Sequence, residues 1–585
     1  MKKYFLFVSF VFLLANSPAG GDMLEVKQEI APEPATEKID QEKQISKDFM
    51  VVSGHPLATK AGYKVLSKGG NAIDAAIAVQ AVLNVVEPHS SGIGGGGFLL
   101  YYDAKDNKSV FYNGREKAPA NIPENVFLDN NGNEKSLYEV LKGGSAVGVP
   151  GILKLLATAH SDKGKLPWFE LFSDAIDVAA LGYELSPRGH EVIKHAGHIR
   201  EFPSANEMFL NENQEPKNIE EIIVNHALAN TFRQIAINGI DDFYNGKVAE
   251  KIVSAVKNSP VNPGYMELQD LAEYNIAKGD LECLQYRKYK ICSMPMPSGG
   301  ITLLQILGIL ENFDLAQMDP DSMEAMHVVS EAIRLAFADR GKYSADDEFV
   351  KVPVKELLNK SYLKERSFLI NVDAALIKVS PGNFSNLAID EELISSSKKD
   401  EPPSTTHISI IDKEGNAVSF TSSIEHSFGS GLMVDGFLLN NQLTDFSFKK
   451  QIGEKVVANN VAGKKRPRSS MSPVFVFNET GNLELILGSP GGARIISYVL
   501  KTIIAVLDWK VPVDEAVQLP NFNKMFEKLE IEEGSYLVDY KEQLERIGHK
   551  VITRNLTSGI HAIHITQDGI VAGVDNRREG SALGK

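Results

Sequence analysis

Hydrophobic and polar positions along the chain fall into distinct textures. Residues 71–86 (NAIDAAIAVQAVLNVV) open with a capping Asn71 and carry Asp74 at the third helical position. They are then apolar on nearly every side, which predicts a buried helix ending before Pro88. From Leu153 to about Ala277 the pattern is mainly helical, with frequent breaks and no fixed repeat, and Met323 to Arg340 reads as another strong helix. The stretch 378–404 is rich in Ser, Lys and acids and ends in Pro402-Pro403-Ser404, as an exposed irregular segment would. Beyond it come short alternating strands and turns, then helix, so Thr405 marks a boundary in pattern.

Three hairpins follow from the alternation. Ile408–Ile411 and Ala417–Phe420 flank a loop centred on Glu414, so in the absence of a bulge Ser423 faces Thr405 and can hydrogen-bond to it. Val474–Phe477 and Leu483–Leu487 flank a loop centred on Thr480, which sets Ser469 opposite Gly491 and Ser470 near Gly492. Residues 493–507 (ARIISYVLKTIIAVL) read as a buried helix whose first N–H groups point into the Gly491-Gly492 turn, an arrangement suited to a developing oxyanion. In the third hairpin, a two-residue turn at Arg287-Lys288 places Cys283 opposite Cys292 at a non-hydrogen-bonded pair. A disulfide in an oxidising compartment and two reduced cysteines in a half-buried hairpin fit this pattern equally.

The N-terminus changes the picture of location. Met1-Lys2-Lys3, an apolar run from Tyr4 to Ala15 and the small residues Ser17 and Ala19 make residues 1–19 a secretory signal peptide, too short for a stable membrane anchor. Residues 20–48 are polar and aperiodic, like a disordered tether, and the fold is expected to begin near Phe49. The expected location is periplasmic or secreted. Composition is that of a globular protein, 43% hydrophobic and 23% charged. The 61 basic against 76 acidic residues, net −15, disfavour nucleic acid and anionic membranes as partners. The basic run 464–468 (KKRPR) is expected as a solvated loop beside a site.

Several motifs read more plainly than they look. Residues 92–97 satisfy GxGxxG, but a helix precedes them and a strand, Phe98–Tyr102, follows, the reverse of a dinucleotide site. A loop of close backbone approach is the better reading. His407, His426, Asp412, Ser422 and Ser423 invite a Ser-His-Asp triad, yet no GxSxG elbow is present and polar strand positions explain the histidines. No CxxC, HExxH or clustered ligand set points to a metal.

The ordered segments GGNAIDAAIA (69–78), GIGGGGF (92–98), REKAPA (115–120), MPSGG (296–300), TTHISIIDKEGNAVSF (405–420), LLNNQLTDFS (438–447), RPRSSMSP (466–473) and GSPGGARI (488–495) carry a resemblance to the gamma-glutamyltranspeptidases over residues 49–580. The resemblance implies an α+β fold, the four-layer αββα sandwich of N-terminal-nucleophile hydrolases. It also implies a precursor that cuts itself into a large subunit, 49–404, and a small one, 405–585, which stay associated. Thr405 would be the nucleophile and its freed α-amino group the base, whose ordinary pKa of about 7.7–8 suits proton transfer near neutrality.

On the same resemblance, Arg115 would hold the α-carboxylate of a gamma-glutamyl group through a bidentate fork, helped by Ser469 and Ser470. Glu425, Gln442 and Asp445 would hold the α-ammonium. Gly491 and Gly492 would form the oxyanion hole and Ser423 would support the nucleophile. Substrates would be glutathione or other gamma-glutamyl compounds, with water, amino acids or dipeptides as acceptors and no cofactor. Glu425 stands where some members carry Asn, and the loop 446–468 is short and has no tyrosine to close the site, which implies tolerance of larger substrates. A glutaryl (cephalosporin-type) amide acylase of the same superfamily is the nearest rival, disfavoured by the two acids Glu425 and Asp445. A non-catalytic exported binding protein is a more distant one.

Overall fold

Two seven-stranded antiparallel sheets form the centre of the computed structural model, which describes residues 36, 38–39, 42–384, 393–394, 404–453 and 455–585. The signal peptide, most of the tether and most of 385–403 lie outside the described residues. The first sheet runs, edge to edge, Ser581–Gly584, Met50–Ser53, Thr405–Ile411, Ala417–Ser423, Gly96–Asp103, Lys108–Asn113, Ala277–Gly279. The second runs Ile45–Ser46, Gly569–Val574, His561–Thr566, Leu483–Gly488, Val474–Phe477, Tyr289–Ser293, Glu282–Tyr286. Ile45 and Ser46, within the stretch assigned to the tether, already pair with Val571 and Ile570.

Alternation along the strands sets the layers. Val51, Leu99, Tyr101, Ile408, Ile410, Val418 and Phe420 of the first sheet pack with the helix Ala72–Val86 and its helical neighbours. Met50, Val52, Phe98 and Leu100 belong instead to the cluster that takes in Phe475, Leu485 and Leu487 of the second sheet, and continues to the helices Gly300–Leu310, Met323–Tyr343 and Ile495–Leu507. Helix, sheet, sheet and helix are thus stacked as four layers, the sandwich that the resemblance implies.

Ala72–Val86 is buried at every position and starts in a full capping box between Asn71 and Asp74. The Asp74 carboxylate also accepts from the backbone N–H of Lys165 and Leu166, tying the helix start to the next connection. No helix among the described residues is long and apolar enough to cross a membrane.

Two hairpins fall in the expected register. Thr405 pairs with Ser423 through an unbroken ladder to Ile411–Ala417. Cys283 pairs with Cys292, and the two are joined by a disulfide. The Val474–Gly488 hairpin differs. Phe477 pairs with Leu483 as predicted, but a bulge next to Val476 shifts the rest by one residue, so that Val474 pairs with Leu487. Residues 469–473 continue no strand, and Ser469 N–H bonds to Pro297 O at 2.8 Å, so Ser469 is not the ladder partner of Gly491.

Candidate functional site

The hairpin brings the Thr405 and Ser423 hydroxyls within 3.3 Å, Thr405 donating to Ser423 Oγ. Ser423 Oγ in turn donates to the carbonyl of Ser404 at 2.6 Å and accepts from Glu425 N–H at 2.8 Å. Ser404 Oγ is itself bonded to His89 O. All three hydroxyl residues are buried. The Ser404 carbonyl is therefore polarised by the hydroxyl that also contacts Thr405 Oγ, and a chain of hydrogen bonds runs from Thr405 through Ser423 to that carbonyl. Behind the strand, Thr406 Oγ donates to Glu87, which pairs with buried Arg188. The glycine loop packs on the same hairpin. A Cβ on Gly95 would lie 2.2 Å from Ser423 O, and one on Gly94 2.0 Å from Leu438 O, so close backbone approach is the role of this motif.

Arg115, Glu425, Gln442 and Asp445 form one contiguous buried cluster. Arg115 Nη2 meets Asp445 at 2.5 Å and Arg468 O at 2.9 Å, while Nε donates to Pro467 O. Gln442 Nε2 bridges Asp445, at 2.7 Å, and Glu425. Burial works to lower the Arg115 pKa, but Asp445, Glu116 and Glu425 outweigh it and the guanidinium is held firmly charged. The bidentate fork expected of Arg115 is half used within the protein, since Nε and Nη2 are engaged and Nη1 is the arm left without a hydrogen bond among the described residues.

The segment 466–473 passes this cluster. Contrary to the expectation of a solvated loop, Lys465 and Arg466 are buried. Lys465 Nζ caps Ala458 O and Asn460 Oδ1, and Arg466 pairs with Glu348, because the run is a spacer between 458–460 and 346–348 rather than a free patch. Ser469 Oγ accepts from Met471 N–H at 3.2 Å and Ser470 Oγ from Arg340 Nη2 at 2.6 Å. Gly491 and Gly492 have φ of 134° and 58°, so both need glycine, and a short 3-10 turn leads from them into Ile495–Leu507. Gly488, three residues earlier, lies against the ring of His407, two residues from Thr405.

The loop 446–468 is pinned by Phe446 and Phe448, which are buried with Phe127 and Val461, and by Asn459 Nδ2, which donates to Asp445 O.

The triad candidates disperse. His407 bonds Thr421 and Ser409, Ser422 bonds Gln80, and Asp412 holds Ala72 N–H and its own loop. Burial keeps His407 and His426 neutral, the latter down to about 3. A buried group that the sequence pattern did not signal, His327, Glu331 and His549, has the residue types of a metal set and lies beside the Lys524 ammonium. That ammonium pairs with Glu331 and meets His549 Nδ1 at 2.7 Å, while His549 Nε2 and His327 Nδ1 meet at 2.7 Å, so the cluster is occupied by a lysine. Residues missed by pattern reading are Ser404, Glu116 and Arg340. Glu116 lies within the REKAPA motif (115–120) already singled out, whereas Arg340 is a charge in the last turn of a helix of mixed composition.

Comparison with known proteins matches the family model described as gamma-glutamyltranspeptidase to residues 58–585. The chain is 38% identical over 557 residues to the glutathione hydrolase proenzyme of Bacillus subtilis (strain 168), covering 93% of each. It is 32% identical over 534 residues to the acylase ACY 1 proenzyme of Pseudomonas sp. (strain SE83), covering 90% of this chain and 91% of the relative. The fold matches the crystal structure of cephalosporin acylase from Bacillus halodurans with a TM-score of 0.83 at 26% identity, over 95% of this chain and 99% of that one.

Proposed function

Because the chain belongs to the gamma-glutamyltranspeptidase family, we propose that it is an exported, self-processing gamma-glutamyl hydrolase and transferase with Thr405 as nucleophile. In processing, Thr405 Oγ attacks the Ser404 carbonyl, the peptide nitrogen leaves as the Thr405 amine, and water hydrolyses the resulting ester. In turnover, that amine takes the proton from Thr405 Oγ, which attacks the gamma-amide of glutathione or a related compound. The N–H groups at Gly491 and Gly492 meet the oxyanion, the amine side departs, and water or an amino acid or dipeptide accepts the acyl group. Both halves contribute strands to both sheets, which accounts for their remaining together.

The reading is carried by the Arg115–Asp445–Gln442–Glu425 cluster. Two carboxylates against one guanidinium suit a head group bearing both a carboxylate and an ammonium. A glutaryl group would bring its carboxylate to Arg115 and nothing positive to Glu425 and Asp445. The similarity to acylases keeps the glutaryl reading as the rival.

Rates on gamma-glutamyl-p-nitroanilide and glutaryl-p-nitroanilide separate the two. A kcat/KM at least tenfold higher for the former is expected, and the reverse order would establish the acylase reading. N-terminal sequencing of the smaller fragment should begin at Thr405, and the larger fragment should begin after the proposed signal peptide if the protein is exported. A single uncleaved band with no turnover of either substrate would favour a binding protein.

A further inference from the structure

The helix Met323–Tyr343 ends its apolar run in Asp339-Arg340, both buried. Asp339 is engaged by Gln305, by the Tyr362 hydroxyl at 2.6 Å and by Gly382 N–H at 2.6 Å. Arg340 reaches the other way, and its Nη2 donates to Ser470 Oγ at 2.6 Å in a buried bond. A hydroxyl has one proton and two lone pairs, and a guanidinium only donates at any accessible pH. With an N–H filling one lone pair, the Ser470 proton must point away from Arg340. Ser469 is set in the same way by Met471 N–H, which donates to its Oγ at 3.2 Å. Two adjacent hydroxyls thus each receive a protein donor, which directs the proton of each away from that donor, on the segment whose Pro467 and Arg468 carbonyls fix Arg115.

We propose that Arg340 is a positioning and specificity residue: it orients Ser470 to donate to the carboxylate at the far end of the substrate's acyl group. A bond between a charged donor and a hydroxyl also strengthens the donation that the hydroxyl makes in turn. The inference rests on the reading that Ser469 and Ser470 meet that carboxylate, which is present in gamma-glutamyl and glutaryl groups alike. A merely structural tie between the helix and residues 469–473 would instead affect every substrate equally.

The test compares wild type, R340Q, R340K, S470A and R340Q/S470A on gamma-glutamyl-, glutaryl- and 4-aminobutyryl-p-nitroanilide, the last of which lacks the carboxylate. KM does not depend on the fraction of protein that has been processed. R340Q is expected to raise KM about tenfold or more for whichever carboxylate-bearing substrates the wild type turns over, with kcat little changed, and to leave the 4-aminobutyryl substrate within about twofold. R340K, keeping a cationic donor, should recover part of the loss, and R340Q/S470A should be no worse than S470A. Equal KM increases with and without the carboxylate, or additive effects of R340Q and S470A, would overturn the proposal. If R340Q fails to fold, R340K decides on the same ratio of KM values. A wild type that prefers the glutaryl substrate sinks the gamma-glutamyl reading while leaving Arg340 open to the same comparison.

Discussion

Thr405 Oγ lies 3.3 Å from Ser423 Oγ, and that second hydroxyl donates at 2.6 Å to the carbonyl of the peptide bond preceding Thr405. The residue facing the proposed nucleophile across the hairpin is therefore also the donor at the peptide bond proposed to be cut. Thr405→Ala should leave one band on a denaturing gel. Ser423→Ala should slow the appearance of two bands by about 100-fold, the usual cost of one oxyanion donor, while Ser423→Thr should process at near the wild-type rate. Equal cleavage half-times for wild type and Ser423→Ala would remove Ser423 from the processing step.

Asp445 is the acid that meets Arg115 most closely, in a largely buried cluster. Asp445→Ala would leave a buried guanidinium undercompensated, at a cost of about 3–5 kcal/mol. A markedly lower melting temperature is expected, together with a smaller preference for gamma-glutamyl over glutaryl substrate, because the acid that would face the ammonium is gone. A variant that keeps its stability would show that Arg115 is satisfied elsewhere.

What pattern reading could recover follows from which interactions are local. The Thr405–Ser423 and Cys283–Cys292 registers are legible because each hairpin has a short loop and an unbroken ladder. The Ser469–Gly491 pairing fails because one bulge at Val476/Phe477 moves the register, and no residue type there announces it. Ser469 is placed instead by Pro297 O, from a segment far away in sequence. Arg340 and Glu116 were invisible as functional candidates for the same reason. The partner of Arg340 is 130 residues distant, and the burial of Glu116 is a property of the assembled sheets. Lys465 and Arg466 read as a solvated charge run since composition does not reveal that carbonyls and acids from other segments enclose them.

Buried histidines should make the protein acid-labile. Burial lowers His55, His198 and His561 to about 4 and His426 and His549 to about 3, and puts His89 and His407 well below the usual 6.5. The unfolded chain thus takes up more protons than the native one as pH falls below 6.5, and stability present above that pH is lost on the way to 4. Each such histidine contributes up to about 1.4 kcal/mol per pH unit. Glu116, Asp346, Asp347 and Asp412, raised chiefly by burial, act in the opposite direction but are fewer. Melting temperature should fall steeply between pH 6.5 and 4.5, and a flat profile there would mean that the histidines are solvated.

Glu116 allows the opposite sign to be tested at one residue. It is fully buried beside Arg115, and its Oε2 is 3.8 Å from Arg115 Nη1. Burial raises its pKa from 4.5 to about 8, although Arg115 and nearby backbone N–H groups pull the other way. The native carboxyl is then protonated where the unfolded one is ionised, so the stability it contributes is fully present below 4.5 and is lost as pH rises toward 8. Glu116→Gln replaces a protonated acid with a neutral group of the same shape that cannot ionise in either state. Relative to that variant, wild type should lose up to about 1.4 kcal/mol per pH unit between pH 5 and 8, read as a melting-temperature gap that changes in favour of the variant as pH rises. A gap that stays constant across this range would show that Arg115 keeps Glu116 ionised in the fold. The cluster around Arg115 would then hold three carboxylates against one guanidinium, and its demand for an incoming ammonium would be correspondingly stronger.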